Sequence, residues 1–164
     1  MPHPSIEFTP IGVLHTPFTS RAGMPIQGGL TPEHHGVLEV DPQWAEGLQD
    51  IEGFSHLIVL YLLHRAEPCE ALLRRPFMDE TPRGIFAIRS PIRPNPIGLS
   101  VVRLLSREGA RLKISGVDML DGTPVLDIKP YFAAVDAYPN ATAGWATKGL
   151  EHTELHTSDD RFGA

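Results

Sequence analysis

Two stretches of this 164-residue chain set polar side chains among prolines and glycines: RSPIRPNPIG at 89–98 and VDMLDGTPVLDIKPY at 117–131. In the first, Ser90, Arg93 and Asn95 each precede a proline, which biases their backbones toward extended geometry outside any regular ladder. Such a loop presents Arg89 and Arg93 with little entropy left to lose on binding a ligand. A stiff connector between strands would account for the prolines but not for two arginines and an asparagine among them. In the second stretch, DGTP (121–124) is a turn with Asp to cap it, Gly for a positive φ and Pro to restart an extended chain. Asp118, Asp127 and Lys129 add charge to strands that are otherwise apolar. Asp127 and Lys129 share a strand face, where a salt bridge and a ligand hydroxyl are equally open readings.

Other reactive residues carry less. Cys69, the single cysteine, excludes an internal disulfide framework and fits a reducing compartment. Its neighbour His64 does not make it a catalytic thiol, because a lone cysteine near a histidine is usually incidental. Of the eight histidines, His34 and His35 are adjacent and diverge on most backbones. His152 and His156 have helical ligand spacing but sit in a polar tail, and neither pair has carboxylates or cysteines to complete a metal site. No metal is expected. His56 and His64 lie an even number of residues apart on one apolar run, and His64 with Arg65 ends that run where side chains would emerge at a rim. The chain has no GxGxxG opening a helix, no GxxxxGK[ST], no GxSxG and no HExxH, so dinucleotide, P-loop, serine-hydrolase and zincin readings lack support.

The elements that must position these residues read mainly as strands. SIEFTPIGVLH (5–15), with Pro10 marking an edge or bulge, GVLEVD (36–41), FSHLIVLYLLHR (54–65), GIFAIRS (84–90), LSVVRLLSRE (99–108), RLKISGVDML (111–120) and TPVLDIKPYF (123–132) are the expected strands. DPQWAEGLQDIEG (41–53) predicts a short helix from its Asp cap and first-turn proline, and CEALLRR (69–75) one helical turn. Residues 16–36 and 66–84 read as long loops. With no βαβ alternation, the expectation is a single small β-barrel of about six or seven strands, with one or two short helices and long loops, over residues 1–150. Residues 151–164 read as a polar tail.

A net charge of −6 excludes coating nucleic acid by bulk charge. A local basic patch is still open: Arg74, Arg75, Arg83, Arg89 and Arg93 crowd one stretch, opposed there by Asp79 and Glu80, and a solvated face is the plainer reading. No apolar run is long enough to span a bilayer as a helix, and the first residues show no signal-peptide pattern, so a soluble cytoplasmic protein is expected.

Four blocks, IGVLHTPF (11–18), GLQDIEGFSHLIVLYLLHR (47–65), GIFAIRSPIRPNPIGLS (84–100) and DMLDGTPVLDIKPY (118–131), resemble in this order and spacing the TrmO/TsaA-like family. The resemblance runs from about Ile11 to Tyr131. It implies a β-barrel that dimerises and binds S-adenosylmethionine near the subunit interface. The activity it implies is methylation of N6 of threonylcarbamoyladenosine beside the anticodon of tRNA. Carried onto matching positions, the cofactor site draws on Pro25, Gln27, His64, Arg65, Arg89, Leu99, Asp121, Gly122, Thr123 and Pro124. Methyl transfer from a charged sulfonium needs positioning more than strong acid chemistry, which suits rigid loops without an evident nucleophile. The acceptor nitrogen still sheds a proton, for which Asp118 and Asp127 are the candidates. Arg74, Arg75, Arg83 and Arg93 are candidates for RNA phosphates. Many bacterial members carry a further C-terminal domain. That leaves open a different RNA or small-molecule substrate, or a non-catalytic S-adenosylmethionine-binding module.

Overall fold

Alternation of apolar and polar residues builds the frame, because successive strand side chains point to opposite faces. The computed structural model describes residues 4–26, 28–77 and 79–150. Within them lie β1 (Gly12–His15), β2 (His35–Val40), β3 (His56–Leu62), β4 (Leu73–Arg74), β5 (Arg83–Gly84), β6 (Ile97–Glu108), β7 (Arg111–Ser115) and β8 (Thr123–Pro130). Six of these close into an antiparallel barrel in the order β1-β2-β7-β6-β3-β8, with β8 returning to β1. The fold is the mainly β, single-barrel architecture that the patterning implies. Closure removes the unpaired edges that an open sheet of this size would expose.

The barrel interior is filled by every second residue of its strands. Leu57, Val59 and Tyr61 of β3 point inward, as do Leu112 and Ile114 of β7 and Val102 of β6, and all are buried. Leu14, Leu38 and Val125 complete the centre of the core. Between β3 and β8 the register shifts at Leu60/Tyr61, so that Leu60 opposes Asp127 and Tyr61 opposes Val125. Such a bulge re-aims the side chains beyond it, here at the barrel end where Tyr61 lies.

Glycine is required where β1 meets β2. A Cβ at Gly12 would overlap the Glu39 carbonyl oxygen and stand 2.9 Å from Val40 Cα, both backbone atoms of the paired strand. Gly12→Ala is therefore expected to lower stability by about 1–3 kcal/mol, the usual cost of overpacking. Urea unfolding checks this, and an unchanged midpoint would show that the β1–β2 seam can yield.

Several local expectations are revised. The first strand begins at Gly12 rather than at Ser5: Pro10 has no donor, and pairing to Val125 starts with the Ile11 amide (2.8 Å). Residues 41–53 form two 3-10 helices, Pro42–Leu48 and Ile51–Gly53, separated at Asp50, whose φ is +66°. Leu48 is the one fully buried anchor of the first, too narrow an apolar stripe to hold a longer α-helix. The CEALLRR stretch has no helical turn; Leu73–Arg74 pairs instead with Arg83–Gly84. GIFAIRS is not a strand: Ile85–Ala87 is a 3-10 turn. The two short α-helices, α1 (Ala133–Asp136) and α2 (Thr147–Leu150), follow the barrel. Residues 151–164, expected to be a polar tail, and His152 and His156 with them, lie outside the described residues.

Candidate functional site

The end of β3, the start of β6 and the segment after β7 meet at one end of the barrel, and a cavity of about 430 Å³ opens there. Its floor is a hydrogen-bonded chain. Tyr61 Oη lies 3.1 Å from Ser100 Oγ, and Ser100 Oγ donates to Asp118 Oδ1 at 2.7 Å. The Gly28 amide donates to Asp118 Oδ2 at 2.9 Å, tying the 16–34 loop to the same carboxylate. Desolvation, the dominant influence, raises the pKa of Asp118, while the bonds from Ser100 and Gly28 oppose it. Tyr61 is likewise pushed up, first by burial and then by the Asp118 charge.

The Tyr61 ring packs against Gly98, its partner in the β3–β6 ladder. A Cβ at Gly98 would overlap Cε2 and Cζ of the ring and approach Cδ2 to 2.8 Å. The glycine that ends the RSPIRPNPIG stretch thus makes room for an aromatic ring on the cavity floor.

The rigid loop forms one wall. Ile92 is its buried anchor, and Ser90 Oγ accepts the Ile92 amide at 3.2 Å. Arg93 turns back on its own loop, donating through Nη1 to the carbonyls of Ile88 (3.1 Å) and Ser90 (3.3 Å). Pro96, which lacks a donor of its own, offers its carbonyl to the Leu63 amide at 2.8 Å. A second wall is latched from both sides: Arg21 donates to the Arg65 carbonyl, and Arg65 Nη1 donates to the Thr19 carbonyl at 3.0 Å. The chain leaves the ladder after Leu62, and the His64 amide bonds the Leu62 carbonyl two residues back (2.9 Å), so strand alternation does not carry through to His64. His64 Nδ1 faces Thr123 Oγ1 at 3.4 Å. Its pKa is lowered, mainly by desolvation and next by Arg65, so the ring is neutral at pH 7.

Of the residues singled out in the sequence, Pro25, His64, Arg65, Arg89, Leu99, Thr123, Asp118 and Arg93 all line this cavity. Asp121, Gly122 and Pro124 are not among its lining residues and build the frame behind it. Asp121 Oδ1 accepts the Thr16 amide (3.0 Å), and Gly122, at φ +76°, donates to Leu14. Gln27 lies outside the described residues. Asp127 lines no described cavity and pairs with Lys129 at 2.6 Å, the salt-bridge reading of that strand face. Arg83 bonds Asp79 through Nε (3.1 Å) and lies over the Trp145 ring, 5.5 Å from its centroid. Arg75 faces Glu80 at 4.0 Å, and Arg74 Nε is buried without a hydrogen-bond partner. Sequence reasoning does not single out Tyr61 and Ser100; the one signal for Ser100 is a hydroxyl at an inward position of β6.

Among the described residues no three histidine, cysteine, aspartate or glutamate side chains gather as a metal site, and no helix is long and apolar enough to cross a membrane.

Comparisons with known proteins agree with this fold. The chain is 48% identical over 155 residues to a Pyrococcus abyssi protein described as a probable S-adenosyl-L-methionine-binding protein, covering 94% of this chain and 84% of that one. It is 36% identical over 151 residues to the tRNA (adenine(37)-N6)-methyltransferase of Escherichia coli, covering 87% of this chain and 64% of the enzyme. The crystal structure of TrmO from Pseudomonas aeruginosa superposes with a TM-score of 0.73 at 40% identity, over 87% of this chain and 63% of that one. The chain therefore spans just under two thirds of the length of the last two. Residues 13–137, which hold the whole cavity floor and, but for Gly12, the six barrel strands, match the tRNA-methyltransferase O N-terminal domain, and the chain belongs to that family.

Proposed function

We propose that this protein is an S-adenosylmethionine-dependent methyltransferase that holds its methyl donor in the barrel-end cavity and methylates N6 of threonylcarbamoyladenosine beside the anticodon of tRNA. The observation that carries the reading is the cavity floor, where the Asp118 carboxylate is held by Ser100 and the Gly28 amide beneath a largely apolar wall. The donor set fits the cofactor. A volume of about 430 Å³ is in the range of small-molecule sites, roughly 300–1,000 Å³. Asp118 suits a cationic sulfonium, the lining arginines, Arg21, Arg65, Arg89 and Arg93, suit the donor's own carboxylate, and Leu63, Leu99 and Met119 supply apolar surface for its uncharged parts.

Bound there, S-adenosylmethionine supplies an activated, electrophilic methyl group. The protein's part is positioning. Asp118 holds negative charge in the cavity, the Arg21–Arg65 latch fixes the wall, and the proline-stiffened loop keeps Arg89 in place without ordering cost at the moment of binding. The raised proton affinity of Asp118 suits it to receive the proton shed by the acceptor nitrogen; Asp127, paired with Lys129 away from the cavity, does not enter this reading. Arg74 and Arg75 are assigned to RNA phosphates, a local role compatible with the chain's overall negative charge. Cytoplasmic location and a homodimer belong to the same proposal. Ile97 and Leu99, 41% and 60% exposed at the rim of the donor cavity, are the surface at which a second copy would close over the donor.

The test has two arms. Calorimetry should show that the purified chain binds S-adenosylmethionine, and mass spectrometry should show loss of N6-methylated threonylcarbamoyladenosine from tRNA of a strain lacking the gene. Absence of binding would sink the methyltransferase reading. Binding with unchanged tRNA would sink the tRNA assignment alone.

A further inference from the structure

A second cavity of about 390 Å³ adjoins the first, and Ile26, Phe77, Arg89 and Ser90 line both. Its far wall is aromatic. Phe86 is 80% exposed although its neighbours Ile85 and Ile88 are buried, so the 3-10 turn at 85–87 turns a phenyl ring outward. Trp145 lines the same cavity, and its ring is fixed twice. The indole Nε1–H donates to the Ala87 carbonyl at 2.8 Å, and the Arg83 guanidinium, itself held by Asp79, lies over the ring.

Methyl transfer requires acceptor and donor to share one continuous space, with the reacting atoms brought to near contact. The second cavity shares the Arg89–Ser90 segment with the first as a common border. Flat, oriented aromatic faces bind nucleobases by stacking, whatever the sequence around them. Its size leaves room for a purine carrying a substituent.

We infer that the second cavity is the acceptor-base subsite, in which a purine flipped out of a single-stranded RNA loop stacks between Phe86 and Trp145 with its exocyclic nitrogen directed across Arg89 and Ser90 toward the donor cavity. The inference rests on the methyltransferase reading above and adds the place where the acceptor sits. Arg83 then stiffens the Trp145 platform from the ring's other side rather than reaching a phosphate.

The experiment uses the full chain carrying Trp44→Phe, which leaves Trp145 as the sole tryptophan of the two. An anticodon stem-loop RNA bearing threonylcarbamoyladenosine should quench Trp145 fluorescence saturably, and the same RNA with that nucleotide abasic should not. Phe86→Ala and Trp145→Ala should each weaken binding of the modified RNA about tenfold, the loss expected for one base-stacking aromatic, while affinity for S-adenosylmethionine stays within about twofold. Equal quenching by the abasic RNA, or wild-type RNA affinity in both variants, would overturn the subsite. So would Trp145 fluorescence that changes with protein concentration in the absence of RNA, which would assign the cavity to a second copy of the chain. Failure of the unaltered chain to bind S-adenosylmethionine is a different result: it removes the methyltransferase reading and this inference with it.

Discussion

Gly98→Ala is expected to destroy most of the protein's affinity for S-adenosylmethionine. The added Cβ would overlap two carbons of the Tyr61 ring. Tyr61 cannot retreat into the barrel, because Leu57, Val59 and Val102 already fill the interior and close-packed cores do not absorb an extra methyl without strain. The remaining direction is up, into the cavity, which also breaks the bond between Tyr61 and Ser100 and loosens Asp118. Overpacking of this kind costs about 1–3 kcal/mol. If the ring relieves it by occupying donor space, affinity falls by up to about a hundredfold, since each 1.4 kcal/mol is tenfold. Calorimetry and urea unfolding together read both effects. Adding Tyr61→Leu to Gly98→Ala should restore stability by removing the ring that clashes. A single variant that binds S-adenosylmethionine and unfolds like the wild type would show that the ring–glycine contact is not what shapes the site.

Asp118→Asn is expected to separate charge from shape. An asparagine can still accept the Gly28 amide through its oxygen and donate to Ser100 through its nitrogen, so the floor keeps its bonds and loses its charge. Opposite charges in one partly desolvated cavity attract by roughly 2–4 kcal/mol. The lower end predicts about a thirtyfold loss of affinity for S-adenosylmethionine. Neutral S-adenosylhomocysteine should bind the variant as well as it binds the wild type. Equal losses for both ligands would assign Asp118 a structural role instead.

The pH dependence follows from the raised pKa of Asp118. Between the ordinary carboxylate value and the raised one, the folded chain binds the proton and the unfolded chain does not. Stability therefore falls as pH rises through that window, and the Asn variant should lack this fall. Affinity for the cationic donor should rise with pH over the same window in the wild type alone, because the ionised carboxylate is the attracting form.

Much of this molecule is legible in one dimension. Strand β3 can be read from Leu57, Val59 and Tyr61 alternating with half-exposed neighbours, because that period depends on residues two apart and needs no distant partner. The same holds for Leu112 and Ile114, for the DGTP turn, and for the proline-stiffened loop, whose restrictions act between adjacent residues. The family, too, is visible in those local blocks. GIFAIRS shows where local reading stops. It is apolar enough for a strand, yet its buried apolar residues, Ile85 and Ile88, are three apart and Phe86 faces out. That spacing fits a 3-10 turn with 3.0 residues per turn, and nothing within seven residues says which side the barrel lies on.

The site itself belongs to the tertiary structure. Gly28, Tyr61, Ser100 and Asp118 form one bonded group although Gly28 and Asp118 are 90 positions apart, and no period links them. Ser100 looks like an ordinary polar interruption of an apolar strand until barrel closure sets β3 beside β6 and brings Asp118 beneath them. Asp118 and Asp127 are equivalent candidates in the sequence, and only their surroundings separate them, one lining a cavity and the other in an ion pair. The second cavity joins residues 76–90 to 143–150, segments with no shared pattern, across a fold that must close before Phe86 and Trp145 can line one space. Strand periods record which face a residue turns to the core; which residues then meet across the barrel is decided by register and closure, and those are properties of the whole chain.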